Sequence, residues 1–154
     1  MTLWVFIDFK PRCLRADGAR WGAIYTMSRP LPDTVLEQAE IVLVDQGFSA
    51  ARRGVADGEL WRWYIRAVVR AQMKWAHVIA VVPDVFGSME LTLRKWEWWA
   101  PRLRQIGATP ALVLQEPHRV DEWAETAAYG EAEVVAIPAH QLAHGVKCAH
   151  AAEE

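Results

Sequence analysis

The chain has 154 residues, 53% hydrophobic and 23% charged, with 17 Lys+Arg against 19 Asp+Glu and a formal net charge of −2. This composition fits one ordinary domain with its own core and argues against disorder, and the balanced charge, with no long run of one sign, does not indicate wholesale coating of nucleic acid or of an acidic membrane. Two Cys residues imply no disulfide framework, and no apolar run approaches the roughly 18 residues that a membrane helix needs.

The start Met1-Thr2-Leu3-Trp4 lacks the basic segment of a secretory leader, so a cytoplasmic setting is expected. Residues 1–154 are read as a single domain, with 141–154 as a frayed tail. Nine Trp residues are unusual for this length and mark large core or interface anchors. Arg outnumbers Lys by thirteen to four; that bias suits bidentate contacts to carboxylate or phosphate, and equally reflects a GC-rich genome.

In chain order, Leu3 to Phe9 reads as a first strand and Trp21 to Met27 as a short second one. The breaker Ser28-Arg29-Pro30-Leu31-Pro32-Asp33 follows, and Asp33 is expected to cap a short helix through Thr34, Val35, Leu36 and Gln38. Ile41 to Val44 is a buried strand ending at Asp45. Glu59 to Met73 is a helix, because Leu60, Trp63, Tyr64, Ala67, Val68 and Ala71 recur at three and four residues. Arg62, Arg66 and Arg70 form a stripe along it, read either as a solvated face or, with Arg52 and Arg53, as a track for phosphates.

Val78 to Val82 is the next buried strand, stopped by Pro83, with Asp84 after it. Ser88 is placed to cap a helix that runs to Ile106 and stops at Gly107, with Pro101 expected to kink or split it. Ala111 to Leu114 reads as a strand carrying Gln115 at its end; Asp121 to Tyr129 reads as a helix and Val134 to Ile137 as a last strand. Strands alternating with helices at this spacing predict an α/β fold of parallel β/α repeats, a partial or shortened TIM-barrel-like arrangement. An open doubly wound parallel sheet is the alternative.

Both architectures put their ligand sites past the carboxyl ends of the strands. Asp45, Asp84 and Gln115 are therefore expected to converge on one pocket. A partly desolvated carboxylate there serves as base, acid or nucleophile, or accepts two N–H donors from a guanine-like edge. Gln115 offers a donor and an acceptor to an amide-bearing ring, and Phe48 is placed to stack on one. A lone strand-end Asp often only caps the next loop or helix; two of them with a matching Gln point to a site.

The segment Val44-Asp45-Gln46-Gly47-Phe48-Ser49-Ala50-Ala51-Arg52-Arg53-Gly54 resembles the Asp-Ser-Gly-x-Phe turn of tRNA-guanine transglycosylases, and more closely that of their shorter relatives in 7-deazaguanine modification of DNA. Val82-Pro83-Asp84-Val85-Phe86-Gly87-Ser88 with Thr92-Leu93-Arg94-Lys95-Trp96 resembles the family's second-Asp region, and Ala111 to Gln115 its strand with the base-reading Gln. Ala136-Ile137-Pro138-Ala139 is similar to a strand-end loop at the base pocket, so the resemblance spans about residues 41–140. It implies a TIM barrel that exchanges guanine for a 7-deazaguanine in tRNA or DNA. By the same resemblance Asp45 handles protons and contacts the base, Asp84 and Gln115 read the base edge with Gly47 beside them, and Phe48 stacks.

The turn after Asp45 is one residue shorter than the family pattern, the strand bearing the family's nucleophilic Asp has no counterpart, and the three-Cys zinc motif is absent. The expectation is binding, with base exchange left to a barrel completed by a second copy or to a divergent enzyme. No cofactor is expected. Zinc enters only through the tail residues His140, His144, Cys148 and His150, of which the first two are four apart, with Gly145 interrupting. The alternative is a non-catalytic α/β interaction protein. It self-associates into a homo-oligomer through exposed Trp residues among Trp61, Trp98 and Trp99.

Overall fold

A computed structural model describes residues 4–7, 20–47, 54–115 and 131–136. Strands β1 (Trp4–Ile7) and β2 (Arg20–Thr26) come first, then helix α1 (Asp33–Leu36) and β3 (Ile41–Asp45). Helix α2 (Asp57–Gln72), β4 (His77–Val81), α3 (Met89–Gln105), β5 (Thr109–Val113) and β6 (Val134–Ala136) complete the set. The six strands form one sheet in the order β1-β2-β3-β4-β5-β6, and every neighbouring pair is parallel. The fold is α/β, as the alternation of strands and helices predicts.

The two faces of the sheet differ. Val42 and Val44 of β3, Val78 and Ala80 of β4 and Leu112 of β5 join the larger core. It also takes Leu36 of α1, Leu60, Tyr64, Ala67, Val68 and Ala71 of α2, and Trp96, Trp99, Ala100 and Leu103 of α3. The three described helices therefore share one face. The alternating residues Ile41, Ile79, Val81, Ala111 and Val113, with Leu43, Val134 and Ala136 packed on them, form a separate cluster on the other face. A doubly wound sheet reverses its strand order and carries helices on both faces; here the strands run in chain order. Among the described residues β1 and β6 do not pair with each other.

Helix α2 forms where its 3.6-residue period predicts. Asp57 and Glu59 sit in its first turn and Arg70 in its last, the arrangement that suits the helix dipole. Ser88 caps α3, its hydroxyl accepting from the Leu91 N–H at 3.3 Å. Gln72 of α2 donates to the Ile106 and Gly107 carbonyls at 3.0 and 3.1 Å, tying off the end of α3. Gly107 has φ +80°, and a Cβ there would stand 2.6 Å from the Gln72 amide nitrogen.

Several expectations are corrected. Pro101 does not split α3 in two: the helix runs unbroken through it. The ring lies on the exposed side, and the Arg102 Nη1 donates to the Trp98 carbonyl at 2.7 Å beside it. Asp33 is not the cap of α1. Pro32 holds that position, and the Asp33 carboxylate instead accepts from Arg70 Nη2 at 2.7 Å. Arg70 also donates to the Leu31 carbonyl at 2.9 Å, so one member of the predicted basic stripe is a tie between α2 and α1. Of the three Trp residues expected at a surface, Trp99 is 1% exposed and Trp61 is half-buried, whereas Trp98 is exposed. Trp99 follows Trp96 by three residues and precedes Leu103 by four, which puts it on the core side. The expected helix at 121–129 and the tail at 141–154 lie outside the described residues.

Candidate functional site

Because all strands point the same way, their carboxyl ends gather on one edge of the sheet. Thr26 at the end of β2 is in register with Asp45 at the end of β3. Two residues on, Gly47 turns the chain with φ +77°, a conformation that favours glycine. The Gly47 N–H then folds back onto Asp45 Oδ1 at 3.1 Å. A Cβ at Gly47 would lie 3.4 Å from the Thr26 Cβ, an ordinary contact, so the turn rests beside the end of β2 and it is the backbone conformation that favours glycine there.

Asp84 stands beyond β4, after the buried Pro83. Its carboxylate is held from two sides. Gln115 Nε2 donates to Oδ2 at 2.6 Å, a short charge-assisted bond, and Gln46 Nε2 approaches Oδ1 at 3.4 Å. Gln115 is fixed in turn, because its Oε1 accepts from the Gly87 N–H at 3.2 Å. The turn that carries Asp84 is anchored to α3 through Thr92, whose Oγ1 accepts from the Val85 N–H at 3.0 Å and donates to the Ser88 carbonyl at 2.8 Å. Gln46 and Gln115 are 6% and 4% exposed, and their contacts with the half-buried Asp84 are part-buried.

Tyr64 joins the helix layer to this edge. It is fully buried in α2, its hydroxyl donates to the Val81 carbonyl, and the Gln46 backbone N–H is directed at its oxygen. Burial raises its pKa well above 10.0, with the Asp45 charge adding to the rise, the Gln46 N–H opposing it and Asp84 adding further. The phenol therefore stays neutral and keeps both contacts.

The Asp45 carboxyl is pushed above its ordinary 3.8 by burial; the Gly47 N–H pulls it partway back, and the Asp84 charge adds to the rise. Folded Asp45 thus holds its proton at a pH where the unfolded chain has lost it. The resulting contribution to stability is complete below pH 3.8 and is lost as pH rises through the folded-state value. Asp45→Asn, which keeps an acceptor for Gly47, should melt at a higher temperature than the wild type at pH 7. That advantage should vanish below pH 3.8, and a melting curve series across pH checks it.

The structure brings Asp45, Asp84 and Gln115 to one edge, as the strand-end rule predicts, with Gly47 shaping the turn beside Asp45. Phe48, Arg52, Arg53, His140, His144, Cys148 and His150 lie outside the described residues. Arg62 and Arg66 are exposed on α2, and neither is bonded to the cluster. Among the described residues no group of three His, Cys, Asp or Glu side chains is placed to hold a metal ion. No helix among them is long and apolar enough to cross a membrane. A hollow of about 460 Å3 lies outside the Asp84 turn, lined by Val85, Leu91, Trp98 and Trp99. Its charged rim is internally paired, Arg94 with Glu90 at 2.7 Å and Lys95 with Asp57 at 3.5 Å.

Sequence reading missed Gln46 and Tyr64. Gln46 falls in phase with Val42 and Val44, which face the helix-covered core. A glutamine where alternation calls for an apolar residue was the available signal. Tyr64 left none, since a phenol on an apolar helix face looks like any other core aromatic. Comparison of the chain with protein-family models, with curated proteins and with solved structures finds no match.

Proposed function

We propose that the strand-end cluster binds guanine or a 7-deazaguanine, free or within tRNA or DNA, in a cytoplasmic protein related to tRNA-guanine transglycosylases. The observation that carries this reading is the Asp84 carboxylate clamped between two buried glutamine amides, with Asp45 beside it. The cluster holds two carboxylates, and among the described residues the Gln46 oxygen has no donor. A guanine-type ring presents adjacent N–H donors along one edge and a carbonyl next to them, which complements a carboxylate and a glutamine. In this reading Asp84 and Gln115 read the ring edge, and Asp45 exchanges a proton with the bound base. Base exchange needs in addition a nucleophile on the sugar, supplied by a second copy or by residues outside those described. Titration calorimetry of guanine and 7-deazaguanine against the wild-type chain tests the reading. Saturable one-site heat supports it; no heat at concentrations that detect millimolar binding removes it.

A second reading, a self-associating interaction protein, is favoured by one feature. Trp75 is 95% exposed and adopts φ 64°, a left-handed conformation that costs a bulky residue energy, and Met73 beside it is 74% exposed. Such a pair contributes nothing to the core. Sedimentation at rising concentration distinguishes this reading, which expects a dimer that Trp75→Ser weakens.

A further inference from the structure

Among the described residues, the side-chain oxygen of the buried Gln46 has no hydrogen-bond donor. The residue is 6% exposed, and its side-chain nitrogen makes only the long 3.4 Å contact with Asp84. A carboxylate accepts and does not donate, so the amide must turn its NH2 toward Asp84 and its oxygen elsewhere. Among the described residues no donor reaches that oxygen. Gln115 provides the contrast: both ends of its amide are used, on Asp84 and on the Gly87 N–H. A buried amide oxygen without a donor loses the hydrogen bonds that water gave it, so such groups are uncommon unless a ligand or water completes them.

The position of the oxygen gives the class of group it awaits. Gln46 Oε1 and Nε2 share one carbon, and Nε2 approaches Asp84 Oδ1 at 3.4 Å, so the oxygen lies within one amide group of the carboxylate. The two acceptors match two neighbouring N–H donors on one planar ring. Resting on the guanine-type reading above, we infer that Gln46 is a specificity-determining residue of this site. Its oxygen accepts the exocyclic 2-amino N–H of the ring, while the adjacent ring N–H goes to Asp84. A site built in this way selects 2-amino purines over analogues that lack the amino group, because the analogue leaves the Gln46 oxygen buried and unpaired.

The experiment is calorimetric titration with 7-deazaguanine and 7-deazahypoxanthine, which differ only in the 2-amino group. The wild type should bind 7-deazaguanine about tenfold more tightly. In Gln46→Met, which keeps the length and removes the acceptor, the ratio should fall to near one. Gln46→Asn withdraws the oxygen by one methylene and should lower the ratio too, with a polar amide kept for folding. Equal affinity of the wild type for the two ligands overturns the inference and leaves the base-binding reading standing. So does a tenfold preference that persists in either folded variant. Binding of neither ligand by the wild type removes the reading itself, and the inference with it.

Discussion

Trp99→Ala should lower the free energy of unfolding by about 3–5 kcal/mol, the cost of truncating a fully buried Trp. A domain of this size has about 5–15 kcal/mol to lose, so the variant should give up a large share of its stability. Trp99 lies at the centre of an aromatic group, with ring centroids 5.8 Å from Trp61, 5.5 Å from Tyr64 and 4.9 Å from Trp98. Its loss leaves a cavity between α2 and α3 that these rings cannot fill without leaving their edge-on contacts. The consequence reaches the site through Tyr64, the residue that ties α2 to Gln46 and to the end of β4. Urea titration followed by far-UV circular dichroism measures the change. A loss below about 1 kcal/mol would mean that Trp99 does not pack as a core residue.

Gln115→Leu should have the largest effect of any single change at the site. It removes the 2.6 Å donor from Asp84 and the acceptor of the Gly87 N–H. Losing a bond to a charged group should cost about 1.5–3 kcal/mol of stability. Affinity for 7-deazaguanine should fall by at least about 30-fold, since both the reading amide and the fixed orientation of Asp84 go. Chemical denaturation and calorimetry on the same preparation read the two effects separately. An unchanged affinity in a stably folded variant would take Gln115 out of the binding site.

Much of the architecture is legible in the residue pattern, and the reasons are local. Ile41 to Val44 and Val78 to Val81 are runs of apolar β-formers, and they are strands β3 and β4. Leu60, Trp63, Tyr64, Ala67, Val68 and Ala71 share one face by their spacing, and they are the buried residues of α2. The strand-end position of Asp45, Asp84 and Gln115 follows from the same reading. What they do to one another does not. The bond between Gln115 and Asp84 spans 31 positions of sequence and that between Gln46 and Asp84 spans 38, so no local pattern foretells them.

The misreadings have the same origin. Pro101 was expected to break α3 because propensity counts the lost N–H, whereas its exposed position and the packing of Trp99, Ala100 and Leu103 hold the helix together. Asp33 looks like a helix cap until Arg70, 37 positions away, takes its carboxylate.

The claim that the edge formed by Asp45, Asp84 and Gln115 is a base-binding site is tested most directly by one paired titration. 7-Deazaguanine is titrated into the wild type and into Asp84→Asn, a near-isosteric change that removes the charge, with thermal melts to confirm that both are folded. One-site binding by the wild type that is lost, or weakened at least about 30-fold, in the folded variant is the expected result. Equal binding by the two proteins would place the ligand elsewhere. No binding by either would contradict the account and shift the weight to the exposed Trp75 face.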